Sequence, residues 1–471
     1  MMNKNSRVIP LKMDELNQQG MLLVMVTAMI AAMLLFLGSF LLGVTSRAKV
    51  VAAYEITYQA RYAAESALEV VKNNIKTSAY NVNGNIWLTN NSSAGGYLAI
   101  NDLMIGTIPV DVTITTLGTG WHRVAATAQS GYTNSSVILE CRGRDSFSRY
   151  MFMISLDDIN IGTSTVHGDV HANRKVNFYY GGAMMYDDVT AVDGIGYYSG
   201  ASAANTTFYG EVNGYAATVP WPSTSEIATL QTSTSGVYDV SNSSSEYAGF
   251  GAFNTEIEFL GNQVKITAKK ISDGSTLKTG TYPLPANNLI FVQNNVTSLK
   301  GDINGRVTVA TMSAVNVTGK VRYIDNEGDK AYILKRYGVE VNPDMTGTDA
   351  WTTANGYTYE ANSAYNPSVL STVGIMALND IQITSAAPYN MEFHGATFSS
   401  TGKWYCSLAQ QKGNLRGLGS QGQKYRGWRY NGSGYGWAKS GEYIYDSALL
   451  NNPPAYYLQV DTPVFGAWFR N

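Results

Sequence analysis

Only four histidines occur in the chain, and two of them, His167 and His171, flank Asp169 within Val166–Ala172. Gly168 and the Val166/Val170 alternation favour a strand there. Positions i, i+2 and i+4 of a strand share a face, so the three side chains are expected to line up outward. A metal site needs a further ligand, which the sequence does not supply, and a polar strand face is the preferred reading; no metal is assigned. Asp187, Asp188 and Asp193 are the one set of clustered acids suited to acid/base or calcium chemistry, but their Gly and Tyr neighbours favour a turn. No G-x-S-x-G, P-loop or H-E-x-x-H pattern is present, so neither a catalytic residue nor a cofactor is assigned, and the chain is expected not to be an enzyme.

A second chemistry lies nearer the C-terminus. From Lys403 through Gly441 there are basic residues and no acid, with Trp and Tyr interleaved. Lys424, Arg426 and Arg429, with Trp428 and Tyr430, form its densest part. Cations and aromatic rings together bind polyanions by charge and stacking, and aromatic rings alone stack on sugars, so an anionic polymer or polysaccharide is the candidate ligand. The competing reading, a Gly-rich surface segment with rigid aromatic packing, is favoured because no groove-binding motif accompanies it; specific nucleic-acid recognition is not expected.

The elements that would position these groups are β-structure. Charged residues make up 14% of the 471, against about 25% in ordinary soluble proteins. Tyr (32), Gly (46) and abundant Asn, Ser and Thr replace them, a composition suited to strands and tight turns. A net charge of −2 gives no global attraction to nucleic acid or anionic lipid. The two cysteines, Cys141 and Cys406, exclude a disulfide-dense scaffold and a four-cysteine zinc site; they form either one disulfide or two separate thiols, the latter preferred.

Met21 to Ser46 carries no charged residue and exceeds the roughly 20 apolar residues that span a bilayer as helix. With Lys4, Arg7 and Lys12 before it and Arg47 and Lys49 after, the charge bias is slight. The Asn-, Ser- and Thr-rich remainder decides the orientation expected: N-terminus cytoplasmic, bulk exported, a single pass in the inner membrane, with lipid as its first partner. The helical pattern continues without Gly or Pro to Ile75. Tyr54, Tyr58 and Tyr62 fall at i, i+4 and i+8 on one face. They are expected to pack on the domain's own sheet, the alternative being a contact with neighbouring subunits.

This layout resembles type IV pilins and type II secretion pseudopilins, and most closely the N-terminal region of PilX-type minor pilins. The residues that carry the likeness are Gln19-Gly20, the apolar run Met21 to Val44 and the block Ala63-Ala64-Glu65-Ser66-Ala67-Leu68. The resemblance implies cleavage between Gly20 and Met21, other pilin-like subunits as partners through the helix, and a structural role in a pilus or secretion pseudopilus. Met25 stands where the family's usual pattern has Glu, which argues against a repeating shaft subunit. A stand-alone, membrane-tethered polymer-binding protein is the alternative.

The fold class expected is α+β. Residues 1–20 form a cytoplasmic leader, 21–46 the transmembrane helix, and 47–143 an amphipathic helix with a pilin-like antiparallel meander (strands at 107–116, 122–129 and 136–142). Residues 144–471 form a β-rich exported domain. Short period-two runs such as Ile159-Asn-Ile161, Ile290-Phe-Val292, Val307-Thr-Val309 and Ile381-Gln-Ile383 recur there without a fixed period. They predict an irregular β-helix or solenoid, with a β-sandwich as the alternative. The blocks at 166–173 and 305–310 and the Tyr443 to Pro454 segment resemble an uncharacterised domain that follows PilX-like N-termini in envelope proteins, and imply no activity.

Overall fold

The computed structural model describes residues 13–78, 80–81, 84–118, 121–131, 133–142, 145–342, 344, 351–366, 370–429, 434–437, 442–460 and 464–470. The chain is α+β: a long N-terminal helix precedes a large β-rich region. It divides into two compact units, one of residues 1–79, 86–141 and 465–471, the other of 80–85 and 142–464.

In the first unit a single helix, α1, runs Met13–Thr77, about 97 Å at 1.5 Å per residue. Its two halves obey different rules. Met21 through Val44 is exposed except at the half-buried Gly38 and carries no charged residue, and this half is long and apolar enough to cross a membrane. Beyond it, Ala60, Ala64, Ala67, Leu68, Val71 and Ile75 recur at three- and four-residue steps and are fully buried. They pack on a five-stranded sheet of Tyr97–Ile105, Ile108–Gly118, Trp121–Ser130, Thr133–Arg142 and Val464–Arg470, the first three antiparallel, through Val112, Ile114, Val124, Ala126 and Leu139. Small Ala side chains let the helix approach the sheet closely. Two strands lie outside the sequence expectation. Tyr97–Ile105 is interrupted by Asn101-Asp102, with Asp102 at positive φ, which hides its alternation. Val464–Arg470 comes from the far end of the chain.

The second unit is built mainly of parallel strand pairs, with antiparallel hairpins added to them. One column runs, neighbour to neighbour, through Val212–Asn213, Val189–Ala191, Asp169–Ala172, Tyr150–Ile154, Leu415–Gln423, Met391–Ser399, Thr372–Ala377, Arg306–Thr311, Leu289–Val292 and Asp239–Val240, every pair parallel. The strands between these in sequence form further parallel columns, including Ile159–Ile161, Val176–Tyr179 and Ile195–Tyr198, and Phe253–Gly261, Val296–Ile303, Val315–Tyr323, Ile381–Ile383 and Trp404–Cys406. The neighbouring strands in these further columns are likewise parallel.

The stacking order is not the sequence order. From Tyr150 the chain winds outward to Asn213. Residues 214–238 then run along the stack as a strap, bonded successively to Asn173 (through Val219, 2.8 and 2.9 Å), Ser400 (through Trp221, 2.8 Å) and Asn287 (through Ser233, 2.6 Å). Winding resumes at Asp239 and returns until Gln421–Gln423 pairs with Phe152–Ile154. The strap and the segment Leu449–Val460 cover the outer face of the first column. Strands such as Met391–Ser399 and Leu289–Val292 are therefore buried at every residue, as in parallel sheets covered on both faces. Where Met391–Ser399 and Leu415–Gln423 turn between columns, Gly395 and Gly419 are paired at positive φ, and a Cβ on Gly419 would collide with the Gly395 carbonyl.

Candidate functional site

Tyr54, Tyr58 and Tyr62 do not pack on the unit's own sheet. They are 64%, 52% and 61% exposed, and the Tyr58 and Tyr62 rings stack at 6.3 Å. The expectation of a buried stripe fails because the small Ala residues took the sheet-facing side, where tyrosines would hold the helix off. An apolar surface thus runs on from the bare half of α1 into an aromatic ladder. Arg61–Glu65 (3.0 Å) and Lys72–Glu69 (2.9 Å) are intrahelical pairs. Gly20 and Met21 lie within the continuous helix, both exposed.

The basic, aromatic stretch separates into an inner and an outer set. Arg429 is 8% exposed and Lys412 9%; the Lys412 ammonium donates to the Ala387 carbonyl (2.8 Å), and its burial lowers its pKa. Arg429 is therefore not an exposed polymer contact. Outside, the Arg426 guanidinium lies 4.2 Å from the ring centre of Trp428, which is 54% exposed, while donating to the Asn160 carbonyl (3.0 Å). The Lys403 ammonium sits 5.0 Å from the Tyr405 ring. Backbone bonds from Cys406 to Trp428 (2.8 Å) and from Tyr425 to Gly402 (3.1 Å) bring the two pairs side by side. Lys424 is half-buried, and Tyr430 lies outside the described residues.

His167, Asp169 and His171 do not share a strand face. Gly168, at positive φ, turns the chain between Thr165–Val166 and Asp169–Ala172. His167 stacks on Tyr186 at 4.2 Å, Asp169 pairs with Arg149 (3.4 Å), and His171 is buried against Thr190 (2.8 Å) and Asn173 (3.0 Å). Asp187 accepts from the Gly168 amide (2.6 Å) and Asp188 from the Glu211 amide (2.8 Å), so both tie corners of the stack. Asp193 is exposed. Among the described residues no group of three His, Cys, Asp or Glu is placed to hold a metal. Cys141 and Cys406 are free and buried, and burial pushes both thiols up to about 12.

The strongest convergence of charge was not anticipated. A groove of about 590 Å³ opens beside Lys320 and Arg322, whose side chains are only 8% and 9% exposed. Arg322 makes a bidentate pair with Asp302 (2.7 and 2.9 Å). One oxygen of Asp344 accepts from both Lys320 (3.0 Å) and Arg322 (2.9 Å), and Glu392, 1% exposed, lies 3.3 Å from Lys320. Burial alone would raise the Asp344 carboxyl, but Lys320 and Arg322 outweigh it and hold the group well below the usual range. A small antiparallel sheet, Tyr332–Arg336, Val339–Val341 and Tyr357–Ala361, is inserted between stacked strands. Its Tyr359 hydroxyl bridges Glu392 (3.1 Å) and His394 Nε2 (2.9 Å). The Tyr323 amide donates to His394 Nδ1 (3.2 Å), which puts the ring proton on Nε2; burial, aided by Arg322, pushes this histidine down to about 3.

No protein-family model matches the chain, and no curated protein matches it. Among solved structures, the crystal structure of the competence-associated pilin ComZ from Thermus thermophilus aligns at 13% identity, over 88% of this chain and 98% of that one, with a TM-score of 0.30. At that score the backbones diverge too far for the likeness to bear on function.

Proposed function

We propose that the chain is a membrane-anchored, pilin-like structural subunit of the PilX-type minor class, which joins a type IV pilus or a secretion pseudopilus and performs no catalysis. The observation that carries this reading is the two-sided helix. Its first half offers bare apolar surface all round, and its second half holds a sheet on one side while presenting Tyr54, Tyr58 and Tyr62 on another. A helix that served only as a tether would gain nothing from a projecting aromatic ladder beyond the bilayer. A helix that passes from lipid storage into a bundle needs side chains there to meet its neighbours. In this reading Ala28, Ala31, Ala32, Gly38 and Ser39 allow close helix approach inside the membrane. The N-terminus is cytoplasmic, the stacked strands form a β-helix on the far side of the inner membrane, and the leader is removed after Gly20.

The test is site-specific photocrosslinking in cells from a benzophenone side chain at position 58. Adducts whose cross-linked peptide maps to the N-terminal helix of another pilin-like subunit are expected. Adducts to lipid alone, or none, refute assembly through this face. Mass spectrometry of the mature N-terminus is expected to find a start at Met21; an intact leader removes pilin-type processing from the account. A second reading, a tethered protein that binds an anionic envelope polymer, rests on the Lys403–Tyr405 and Arg426–Trp428 patch. It predicts retention on polymer that is lost on exchanging Arg426 and Trp428 together.

A further inference from the structure

We propose that the groove beside Lys320 and Arg322 is a recognition site for an acidic sugar of a polysaccharide, and that Asp344 holds the place of the sugar's carboxylate. The inference rests on the strand-bearing unit alone and stands whether or not α1 assembles with other helices.

Two cations more than nine-tenths buried, on alternate residues of one strand, converge on a single carboxylate oxygen. Like charges this close inside a protein are tolerated only with an anion between them. Three of the acids around them, Glu258, Asp302 and Glu392, are fixed on the stacked strands Phe253–Gly261, Val296–Ile303 and Met391–Ser399. The fourth, Asp344, comes from the inserted segment and stands at the mouth with its side chain 46% exposed. Among the described residues, Lys300 pairs with Glu258, Lys320 with Glu392 and Asp344, Arg322 with Asp302, Glu392 and Asp344, and Lys330 with Asp344. Withdrawing Asp344 removes the acid that both buried cations share at the end of an open groove.

An anion seated there takes over the contacts that Asp344 makes with both cations. The group replaced is itself a carboxylate, and a carboxylate on the ligand reproduces its contacts with Lys320 and Arg322. The rest of the groove suits a sugar. Glu258–Lys300 (3.2 Å) and Asp302–Arg322 offer acceptors and donors in alternation for hydroxyl groups. Tyr389 gives one wall an aromatic surface, and the volume is that of an ordinary ligand site. Asp344 then acts as a tethered competitor, displaced when a polymer presents a carboxylate to the same two cations.

The experiment is calorimetric titration of the full-length chain in detergent micelles with acidic oligosaccharides (oligogalacturonate, oligoalginate and oligohyaluronate), with carboxyl-reduced oligomers and inorganic phosphate as controls. At least one acidic oligomer is expected to bind D344N tenfold or more tightly than it binds the unaltered chain, and its reduced form is expected not to bind. K300Q, which leaves the buried ions intact, is expected to weaken binding several-fold in the unaltered chain, and serves also should D344N fail to fold. Equal affinity of D344N and the unaltered chain, equal binding of the reduced oligomer, phosphate binding as tight as the sugar's, no effect of K300Q, or no binding of any of the three oligomers each overturns the proposal.

Discussion

Exchanging Trp221 for Ala tests whether the strap holds the two arms of the stack together. The indole donates to the Ser400 carbonyl at 2.8 Å, stacks on Phe398 at 4.7 Å and meets Phe147 edge-on at 5.5 Å. Truncating a buried Trp to Ala costs about 3–5 kcal/mol, and the half-exposure of this ring puts W221A near the lower end, about 3 kcal/mol. W221F keeps most of the stacking and loses the N–H donor, so it should cost only about 1 kcal/mol. With a urea slope of about 3 kcal/mol per M, W221A lowers the midpoint by about 1 M and W221F by about a third of that. Equilibrium unfolding followed by circular dichroism reads both, and limited proteolysis should show the first cuts in W221A within residues 214–238. A W221A midpoint within about 0.2 M of the unaltered chain, or a W221F loss as large as that of W221A, would refute the idea that packing of the strap stabilises the stack.

Two other substitutions probe buried polar groups. Y359F removes the hydroxyl between Glu392 and His394 and leaves two buried polar atoms unpartnered, so it should cost about 1–3 kcal/mol. Part of that loss should vanish when H394F is already present, and strict additivity in this double-mutant cycle would show that the bridge does not exist. The Asp446 carboxyl is pushed from 3.8 up to about 6 by burial. The folded chain therefore binds this proton more tightly than the unfolded one. Its contribution to stability is fully present below about pH 4 and is lost as pH rises to about 6. D446N keeps an acceptor for the Ala448 amide (3.0 Å) and should flatten that slope; unfolding measured at both ends of the window, with an unchanged slope in D446N, would rule this out.

The helix and the first meander were legible because local physics settles them. Met21 to Ser46 has no charge to place anywhere but in lipid or a bundle, and the Ala-rich continuation has an unambiguous helical period. The Tyr stripe was misread because periodicity gives a helix several faces and does not say which one a sheet will take; side-chain size decided it. In the second unit Ile159–Ile161, Leu289–Val292 and Ile381–Ile383 were each visible as short strands. Their stacking order was not, because three interruptions obscure any period: the strap at 214–238, the antiparallel hairpin pairing of Phe253–Gly261, Gln263–Lys270 and Thr276–Pro283, and the insertion after Tyr323.

The charged groove shows why a site can be absent from every local window. Gly319-Lys320-Val321-Arg322-Tyr323 reads as an ordinary strand with polar residues outward, and Glu392 and His394 read the same way on a strand some seventy residues later. On a bare outer face these groups would be solvated and their pairs worth little. The insertion changes their surroundings. Trp351 lies 4.9 Å from the Lys320 ammonium, Tyr359 covers Glu392 and His394, and Asp344 faces Lys320 and Arg322. Lys320 and Arg322 therefore become buried cations through residues distant in sequence and mostly uncharged. Burial strengthens each attraction within the ion cluster and makes the loss of any one partner costly.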